Sequence, residues 1–267
     1  MPEVARDDVT ISYSDQGVGR AVVLLHGHTF DRRVWLPVLG SLGGENLRVI
    51  RPDLRGHGRS SRPDTGYHVS HHAADVLAVL DDAGIRGAVV VGFSFGGGVA
   101  LELAVSHPDR VRAVGLVATT MPDRRFEPAF MDNLRDVARV IRSDGVQAAM
   151  AGPWAASPLF AHSFTKPGIR EAVAAIVRDF PGAEFLATER DRVDRGWTVP
   201  ERLGEIAAPT RILVGELEMA GFRAYADEAA EGIPGATLEV VPDAGHLIPL
   251  EAPDLVARMI IDLVGEG

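Results

Sequence analysis

The feature that most constrains the fold is a series of short apolar runs that alternate with helical patterns. Several runs are apolar at consecutive positions, as is typical of central parallel strands that are buried on both faces. Helical patterns between them, such as residues 70–83 and 97–107, predict right-handed crossovers and a doubly wound, mostly parallel α/β sheet. Residues 9–13 and the glycine-containing turn after them predict an antiparallel hairpin at the N-terminal edge. The predicted central strands are Val22-Val23-Leu24-Leu25, Val49-Ile50, Val89-Val90-Val91, Val111 to Val117, Ile212-Leu213-Val214 and Leu238-Glu239-Val240-Val241.

The strand–helix alternation is interrupted over residues 121–200, where helical patterns occur without a convincing strand. Phe130, Leu134 and Val137, for example, recur on one helical face. We interpret this stretch as a helical cap, or lid, inserted into a core domain of residues 1–120 and 201–267. Such a cap would lie over the carboxyl ends of the strands, where parallel sheets bind ligands. The alternative is a set of helices that only pack on the core.

Composition excludes several classes of function. The chain of 267 residues has no cysteine, so it has no disulfide, thiolate metal site or thiol nucleophile, and a reducing cytoplasm suits it. A formal net charge of −10 argues against a general nucleic-acid or anionic-membrane surface, since both attract basic proteins. No secretory signal pattern is present, and no apolar run approaches the roughly 20 residues that cross a bilayer. We expect a cytoplasmic location and no nucleic-acid or membrane partner.

The strongest candidate nucleophile is Ser94, in Gly92-Phe93-Ser94-Phe95-Gly96. This G-x-S-x-G pattern follows an apolar strand and opens a helix near Gly97. Such a sharp strand-to-helix turn strains the serine backbone, and flanking glycines remove side chains that would collide there. The positive end of the helix dipole favours the anion that forms during acyl transfer. The alternative is a glycine-rich turn with an incidental serine.

A serine hydroxyl needs an adjacent base at neutral pH. Among nine histidines, His246 follows the last predicted strand on a short loop, at the sheet edge expected to carry Ser94. The other histidines are interpreted as surface or packed residues. A metal site at His26 and His28 is the alternative for that pair, but no carboxylate pattern accompanies it. We therefore expect no metal and no cofactor.

The imidazole in turn needs a carboxylate to fix its tautomer and stabilise its charged form. The loop after the strand that ends at Val214 reads Gly215-Glu216-Leu217-Glu218. Glu218 is the first choice and Glu216 the alternative, because glutamates separated by one residue usually point in different directions. Asp123 and Glu127, after an earlier strand, are weaker candidates.

Together these landmarks resemble the α/β-hydrolase superfamily, particularly haloperoxidase/perhydrolase-type esterases and 3-oxoadipate enol-lactonases. The resemblance is carried by His26-Gly27, by residues 53–60 (Asp-Leu-Arg-Gly-His-Gly-Arg-Ser), by Gly92 to Gly97 and by Gly245-His246. It implies a cofactor-free serine–acid–histidine triad in that chain order. It also implies an oxyanion hole formed by the backbone N–H groups of His28 and Phe95. Relatives usually carry aspartate where this chain has Glu218, so the sequence departs from the pattern by one methylene.

A serine at this turn favours acyl transfer, whereas relatives that attack alkyl carbon use aspartate there. The expected function is hydrolysis of a carboxylic ester or lactone through an acyl-enzyme, on a small molecule with an apolar portion. The alternatives are a C–C bond hydrolase with the same triad, a lyase or cyclase, and a small-molecule receptor. The sequence is compatible with a homo-oligomer. The candidate pocket residues are aromatic and lie beside the nucleophile or in the cap: Phe93, Trp154, Phe160, Phe164 and Trp197.

Overall fold

The computed structural model describes residues 1–43, 46–187, 193 and 195–267. Its centre is an eight-stranded sheet in the order β1-β2-β4-β3-β5-β6-β7-β8. Strand β2 pairs antiparallel with β1 and β4, and every pair from β4 to β8 is parallel. The strands are β1 Glu3–Arg6, β2 Val9–Gly17, β3 Arg20–Leu25, β4 Leu47–Pro52, β5 Ala88–Phe93, β6 Val111–Val117, β7 Thr210–Gly215 and β8 Thr237–Val241.

The predicted fold class is confirmed, and each predicted central run lies in a strand. The antiparallel hairpin at the N-terminal edge is formed by β1 and β2, and it does not use the glycine-containing turn that we expected to form it. Strand β1 turns into β2 at Asp7 and Asp8, whereas the glycine-containing turn after β2 leads to β3, two positions away in the sheet. The reason is tertiary: β4 lies between β2 and β3 and pairs with both.

Helices cover both faces of the sheet and fill the interval between β6 and β7. In that interval the described residues form helices and turns and no strand, whereas the division into core and cap stays a prediction. The α-helices are α1 Leu36–Ser41, α2 Val69–Asp82, α3 Phe95–Ser106, α4 Pro128–Asp144, α5 Val146–Ala149, α6 Ile169–Val177, α7 Ala183–Leu186, α8 Ala220–Gly232, α9 Ile248–Glu251 and α10 Pro253–Glu266.

The turn from β5 to α3 holds Ser94 in a strained conformation, with φ 52° and ψ −117°. A non-glycine residue in such a region costs on the order of 1–3 kcal/mol, which the surroundings must offset. The Ser94 N–H donates to the carbonyl of Val117 at 2.9 Å, and its carbonyl accepts from the N–H of Thr120 at 3.1 Å. Both partners come from the end of β6 and the residues after it, so the neighbouring strand fixes the turn.

Two glycines allow the backbone to pass closely around this turn. A Cβ on Gly92 would lie 2.1 Å from the carbonyl oxygen of Gly96, and one on Gly96 would lie 2.3 Å from that of Leu25. Each obstacle is backbone rather than a flexible side chain, so a larger residue would have to move the strand or the helix. Glycine at these positions is therefore a steric requirement of the turn.

Two buried histidines join the loops at the carboxyl edge of the sheet. Nε2 of His26 accepts from the N–H of Leu54 at 2.9 Å, and Nε2 of His57 accepts from the N–H of Thr29 at 3.2 Å. The proton of His57 is therefore on Nδ1, which donates to the carbonyl of Arg55 at 2.9 Å. Both rings can play these roles only when they are neutral, because a protonated imidazole has no acceptor.

Burial favours the neutral form of both rings. It lowers the pKa of His26, and together with the neighbouring imidazoles it lowers the pKa of His57 to about 3. Free histidine has a pKa of about 6.5, so the unfolded chain binds more protons than the folded chain below that pH. These rings therefore stabilise the fold near neutrality, and that stabilisation is lost as the pH falls from about 6.5 toward the folded-state values.

We expect Gly96→Ala to lower the free energy of unfolding by about 1–3 kcal/mol, because the new methyl group meets the carbonyl of Leu25. The measurement is urea denaturation followed by circular dichroism. Gly40→Ala in α1 is the matched control, since a Cβ there meets nothing within 4 Å. The control is expected to be neutral or slightly stabilising. Equal midpoints for the two variants would contradict the steric account.

We expect acid to destabilise the wild-type protein from about pH 6.5 downward, and His57→Gln to change this dependence in two ways. At about pH 7.5 the variant should be less stable by about 1–3 kcal/mol, because a buried backbone hydrogen bond is lost. Between about pH 6 and pH 5 its stability should fall less steeply, by roughly 1 kcal/mol per pH unit, because one titrating group is gone. Urea midpoints across this range test both effects, and identical slopes would refute the titration argument.

Candidate functional site

Three loops at the carboxyl edge bring Ser94, His246 and Glu218 into one hydrogen-bonded chain. Nε2 of His246 lies 3.0 Å from Oγ of Ser94. Nδ1 of the same ring lies 2.7 Å from Oε2 of Glu218. Because a carboxylate only accepts, Nδ1 carries the proton and donates it to Glu218, and Nε2 is left to accept the serine proton. This is the tautomer that a general base requires.

The imidazole of His246 lies between two phenylalanine rings. The ring centroid of Phe222 is 4.7 Å from that of His246, and the ring centroid of Phe93 is 5.3 Å away. The side chains of His246 and Glu218 are each only 1% exposed, and Ser94 is 7% exposed. Burial of this kind strengthens each electrostatic contact because little water screens it. Sequence reasoning missed Phe222, which lies on α8 and has no motif around it.

The two glutamates after β7 have different partners. Oε1 of Glu218 accepts from the N–H of Met219 at 2.9 Å, which orients the carboxylate whose other oxygen contacts His246. Glu216 is exposed, and its Oε2 accepts from the N–H of Asp243 at 3.0 Å. The structure thus brings Glu218, and not Glu216, to the histidine.

The weaker acid candidates take part in other contacts. Oδ2 of Asp123 accepts from the N–H of Val199 at 3.0 Å and lies 3.2 Å from Arg195. Oε1 of Glu127 accepts from the N–H of Gly221 at 3.3 Å. These carboxylates fasten the segment after β6 to neighbouring segments, and neither contacts His246.

Glu251 holds the backbone on both sides of His246. Its Oε2 accepts from the N–H of Gly245 at 3.0 Å, and its Oε1 accepts from the N–H of Leu247 at 2.9 Å. The hydroxyl of Ser163, in the interval between β6 and β7, also donates to Oε1 at 2.6 Å. Glu251 therefore positions the base without touching its ring. The only sequence signal for this residue is a glutamate shortly after the histidine loop.

The predicted oxyanion hole combines the first residue of a helix with a residue of the loop after β3. Phe95 is the first residue of α3, and His28 follows Gly27 on the loop after β3. A Cβ on Gly27 would lie 3.1 Å from Cβ of Ser94, so this loop passes directly beside the nucleophile. Within the described ranges, neither the N–H of His28 nor that of Phe95 has a hydrogen-bond acceptor. Two backbone donors are therefore available near Ser94, and their catalytic role stays a prediction.

Three of the predicted pocket residues lie near the site. Phe93 packs against His246, as described above. The ring of Trp154 is 6.2 Å from that of His28, in an edge-on arrangement, and is 5.2 Å from the ring of Phe160. Phe160 thus lies behind Trp154 and supports it.

The other two predicted pocket residues lie farther from the triad. The ring of Phe164 is 5.2 Å from that of Phe160 and carries no contact with a triad residue in the described structure. Trp197 is stacked with two guanidinium groups, with Arg195 at 4.0 Å and Arg202 at 4.5 Å from its ring centroid. These contacts are with arginines rather than with a triad residue, and a pocket role for Trp197 stays a prediction.

The side chain of His28 is surrounded by aromatic rings and lies next to a carboxylate that sequence reasoning missed. Its ring is 5.2 Å from that of Phe185 and 6.0 Å from that of Phe180. Nε2 of His28 lies 2.9 Å from Oε2 of Glu184, which belongs to α7. Burial alone would raise the pKa of Glu184, but the nearby imidazoles of His28 and His57 outweigh it and lower this pKa to about 2. Glu184 is therefore ionised at neutral pH.

His28, His57 and Glu184 form a group whose possible ligand atoms lie within 4.8 Å of one another. The sequence offered a metal site at His26 and His28 as an alternative, without a carboxylate nearby. The structure instead places the carboxylate of Glu184 beside His28 and His57. The donor set still suits a metal poorly, because both nitrogens of His57 already make backbone hydrogen bonds. A metal would have to break the bond from Thr29 that holds the loop.

The comparisons with known proteins agree with this fold. Residues 22–259 match the alpha/beta hydrolase family. The chain is 28% identical to a putative 2-succinyl-6-hydroxy-2,4-cyclohexadiene-1-carboxylate synthase from Bacillus subtilis, over 97% of this chain and 96% of that protein. It is 30% identical to the solved structure of Est816, described as an N-acyl homoserine lactone degrading enzyme, with a TM-score of 0.78 and coverage of 98% and 99%.

A third similar structure is a thermophilic esterase from Thermogutta terrifontis, with 27% identity, a TM-score of 0.82 and coverage of 99% of this chain and 97% of that one. In the part of the chain that the structure describes, no helix is both long and apolar enough to span a bilayer. The family match covers most of the chain and includes the segments that carry Ser94, Glu218 and His246. The chain belongs to the alpha/beta hydrolase family and is a hydrolase of that type.

Proposed function

We propose that this hydrolase cleaves a carboxylic ester or lactone through an acyl-enzyme on Ser94. The observation that carries the proposal is the chain of contacts from Glu218 through His246 to Ser94, at 2.7 Å and 3.0 Å. A serine hydroxyl in this arrangement has both an acceptor for its proton and a carboxylate to stabilise the resulting imidazolium.

In the first half of the reaction, His246 takes the Ser94 proton on Nε2 as Oγ attacks the substrate carbonyl carbon. The negative charge develops on the carbonyl oxygen, where the N–H groups of His28 and Phe95 donate to it. Loss of one such donor typically costs about 10²–10³ in rate. The imidazolium then gives its proton to the leaving alkoxide, and the acyl group remains on Oγ.

In the second half, water loses a proton to His246 as it attacks the acyl carbonyl, and Ser94 recovers its hydrogen when the acid leaves. The Glu218 carboxylate accepts from Nδ1 throughout and keeps its negative charge. The phenyl rings around His246 reduce the access of water to the imidazolium and its carboxylate partner. Apolar atoms of the substrate would contact these rings and those beneath the cap of residues 121–200.

The similarity to Est816 and to the Thermogutta esterase supports ester or lactone substrates. The similarity to the Bacillus synthase favours a second candidate, a lyase that reuses the same scaffold. Product analysis separates them, since only ester or lactone cleavage consumes water and releases an acid with an alcohol. A C–C bond hydrolase would consume water without forming an alcohol.

We also infer a cytoplasmic protein with a small-molecule substrate and no nucleic-acid partner. The absence of cysteine suits a reducing compartment, and the net charge of −10 opposes binding to a polyanion. A homo-oligomer is compatible with this inference.

We expect a fluorophosphonate probe to label a single residue, Ser94, and His246→Ala to abolish that labelling. Glu218→Gln should lower kcat for a chromogenic ester by about 10³–10⁴-fold, because an amide in place of the carboxylate disfavours the required tautomer. The measurements are mass mapping of the adduct and steady-state kinetics.

Glu216→Gln is the matched control. It changes an exposed glutamate two positions away that contacts Asp243 rather than the histidine, so kcat should remain near the wild-type value. Labelling at another residue would refute the acyl-enzyme on Ser94, and full activity in Ser94→Ala would refute it and favour the lyase.

A further inference from the structure

Four side chains beside the nucleophile place polar atoms in an otherwise aromatic environment. We call His28, His72, Glu184 and Trp154 the polar cluster. His72 belongs to α2 of the core, whereas Glu184 and Trp154 lie between β6 and β7. The ring centroid of Phe95, the residue after Ser94, is 4.8 Å from that of His72 and 6.4 Å from that of His28. The residue that follows the nucleophile in the chain therefore packs against two members of the polar cluster.

Several atoms of the polar cluster are buried without a partner. Nδ1 and Nε2 of His72 and Nε1 of Trp154 have no hydrogen-bond partner among residues 1–43, 46–187, 193 and 195–267. His72 is 0% exposed and Trp154 is 2% exposed. A buried polar atom left unpaired costs about 1–3 kcal/mol, so native structures keep few such atoms unless something pairs with them.

The contact between His28 and Glu184 also leaves hydrogen-bonding capacity. Nε2 and Oε2 are 2.9 Å apart, within ion-pair distance, but they are not aligned as a hydrogen bond. The carboxylate oxygen has a second lone pair, so it is able to accept from a polar group that lies beside this pair.

The charge of the polar cluster restricts what it can bind. Glu184 is ionised at neutral pH, as shown above. Burial lowers the pKa of His72 well below its usual range, so this ring is neutral. The nearby guanidinium of Arg55 is already paired with Asp75, through bonds of 2.6 Å and 2.7 Å. The imidazole of His72 and the indole of Trp154 are therefore neutral groups, and the carboxylate of Glu184 would repel a second anion.

We propose that the polar cluster binds a neutral hydrogen-bonding group of the substrate, such as an amide, while Ser94 attacks an ester or lactone carbonyl in the same molecule. An amide has both a donor and an acceptor, which matches the mixed atoms of the cluster. The remaining apolar part of the substrate contacts the rings near His246. This inference rests on the proposed esterase or lactonase function, and it narrows the substrate class.

The test uses three p-nitrophenyl esters whose acyl chains have the same length: the hexanoate, the N-acetyl-β-alanine ester and the monoester of adipic acid. They differ in carrying a methylene chain, an internal amide or a terminal carboxylate. For the wild-type protein we expect kcat/KM for the amide to exceed that for the hexanoate by about tenfold, since a factor of ten corresponds to about 1.4 kcal/mol, which is within the net range for one or two buried hydrogen bonds. The adipate should be the poorest substrate.

Two variants separate charge from hydrogen bonding. Glu184→Gln removes the carboxylate charge and keeps the size, so the adipate should gain about tenfold relative to the hexanoate. His72→Phe removes two polar atoms, so the ratio of amide to hexanoate should fall about tenfold toward one. Glu171→Gln, an exposed glutamate on α6, is the matched control and should leave all three ratios unchanged.

The experiment gives different results if this inference fails and if the proposed function fails. If the wild-type protein hydrolyses the hexanoate but shows no preference for the amide, the polar cluster does not recognise such a group and the proposed function stands. If none of the three esters is hydrolysed and the fluorophosphonate labels nothing, both proposals fail. The wild-type ratios decide the inference even if a variant does not fold.

Discussion

The hydrogen bond between His246 and Ser94 joins residues that are 152 positions apart, and it depends on the parallel sheet. Strands β5, β7 and β8 end at one edge, so the loops that follow them meet there. Backbone bonds then fix their separation: the N–H of Leu217 donates to the carbonyl of Ala244 at 2.9 Å. A Cβ on Gly215 would lie 2.4 Å from that same oxygen. The acid loop and the base loop are thus in direct backbone contact.

The loops after β3 and β4 are held in place by buried polar and charged side chains. Asp53 accepts from the side chain of Arg32 at 3.0 Å and 2.7 Å and from the N–H of Arg59 at 2.9 Å. His26 and His57 accept backbone N–H groups only while they are neutral. Removing one partner of a buried ion pair typically costs about 3–5 kcal/mol, so such contacts hold a loop in one geometry. The segment of residues 53–60 is therefore held in one geometry by buried polar contacts.

The parts of the molecule that sequence predicted are those fixed by local rules. The central strands follow from consecutive apolar residues, and Ser94 stands out because a glycine-flanked serine joins a strand to a helix. The cluster around Glu184 has no such rule, because its members come from α2, the loop after β3 and two separate helices. Their contact exists only after folding. The start of α2 shows the same limit: serine is a common N-cap residue, yet the residue that caps this helix is His68, whose side chain accepts from the N–H of Ser70.

The choice between Glu216 and Glu218 shows why residue type alone was insufficient. A glutamate at position 218 has one more torsion than the aspartate usual in relatives, and freezing a glutamate side chain costs up to about 2 kcal/mol. The hydrogen bond from the N–H of Met219 to Oε1 opposes that cost, because it fixes the carboxylate before His246 is protonated. The remaining oxygen then faces Nδ1 at 2.7 Å. The extra methylene is thus taken up by a bend back to the adjacent backbone, and the acid still reaches the base.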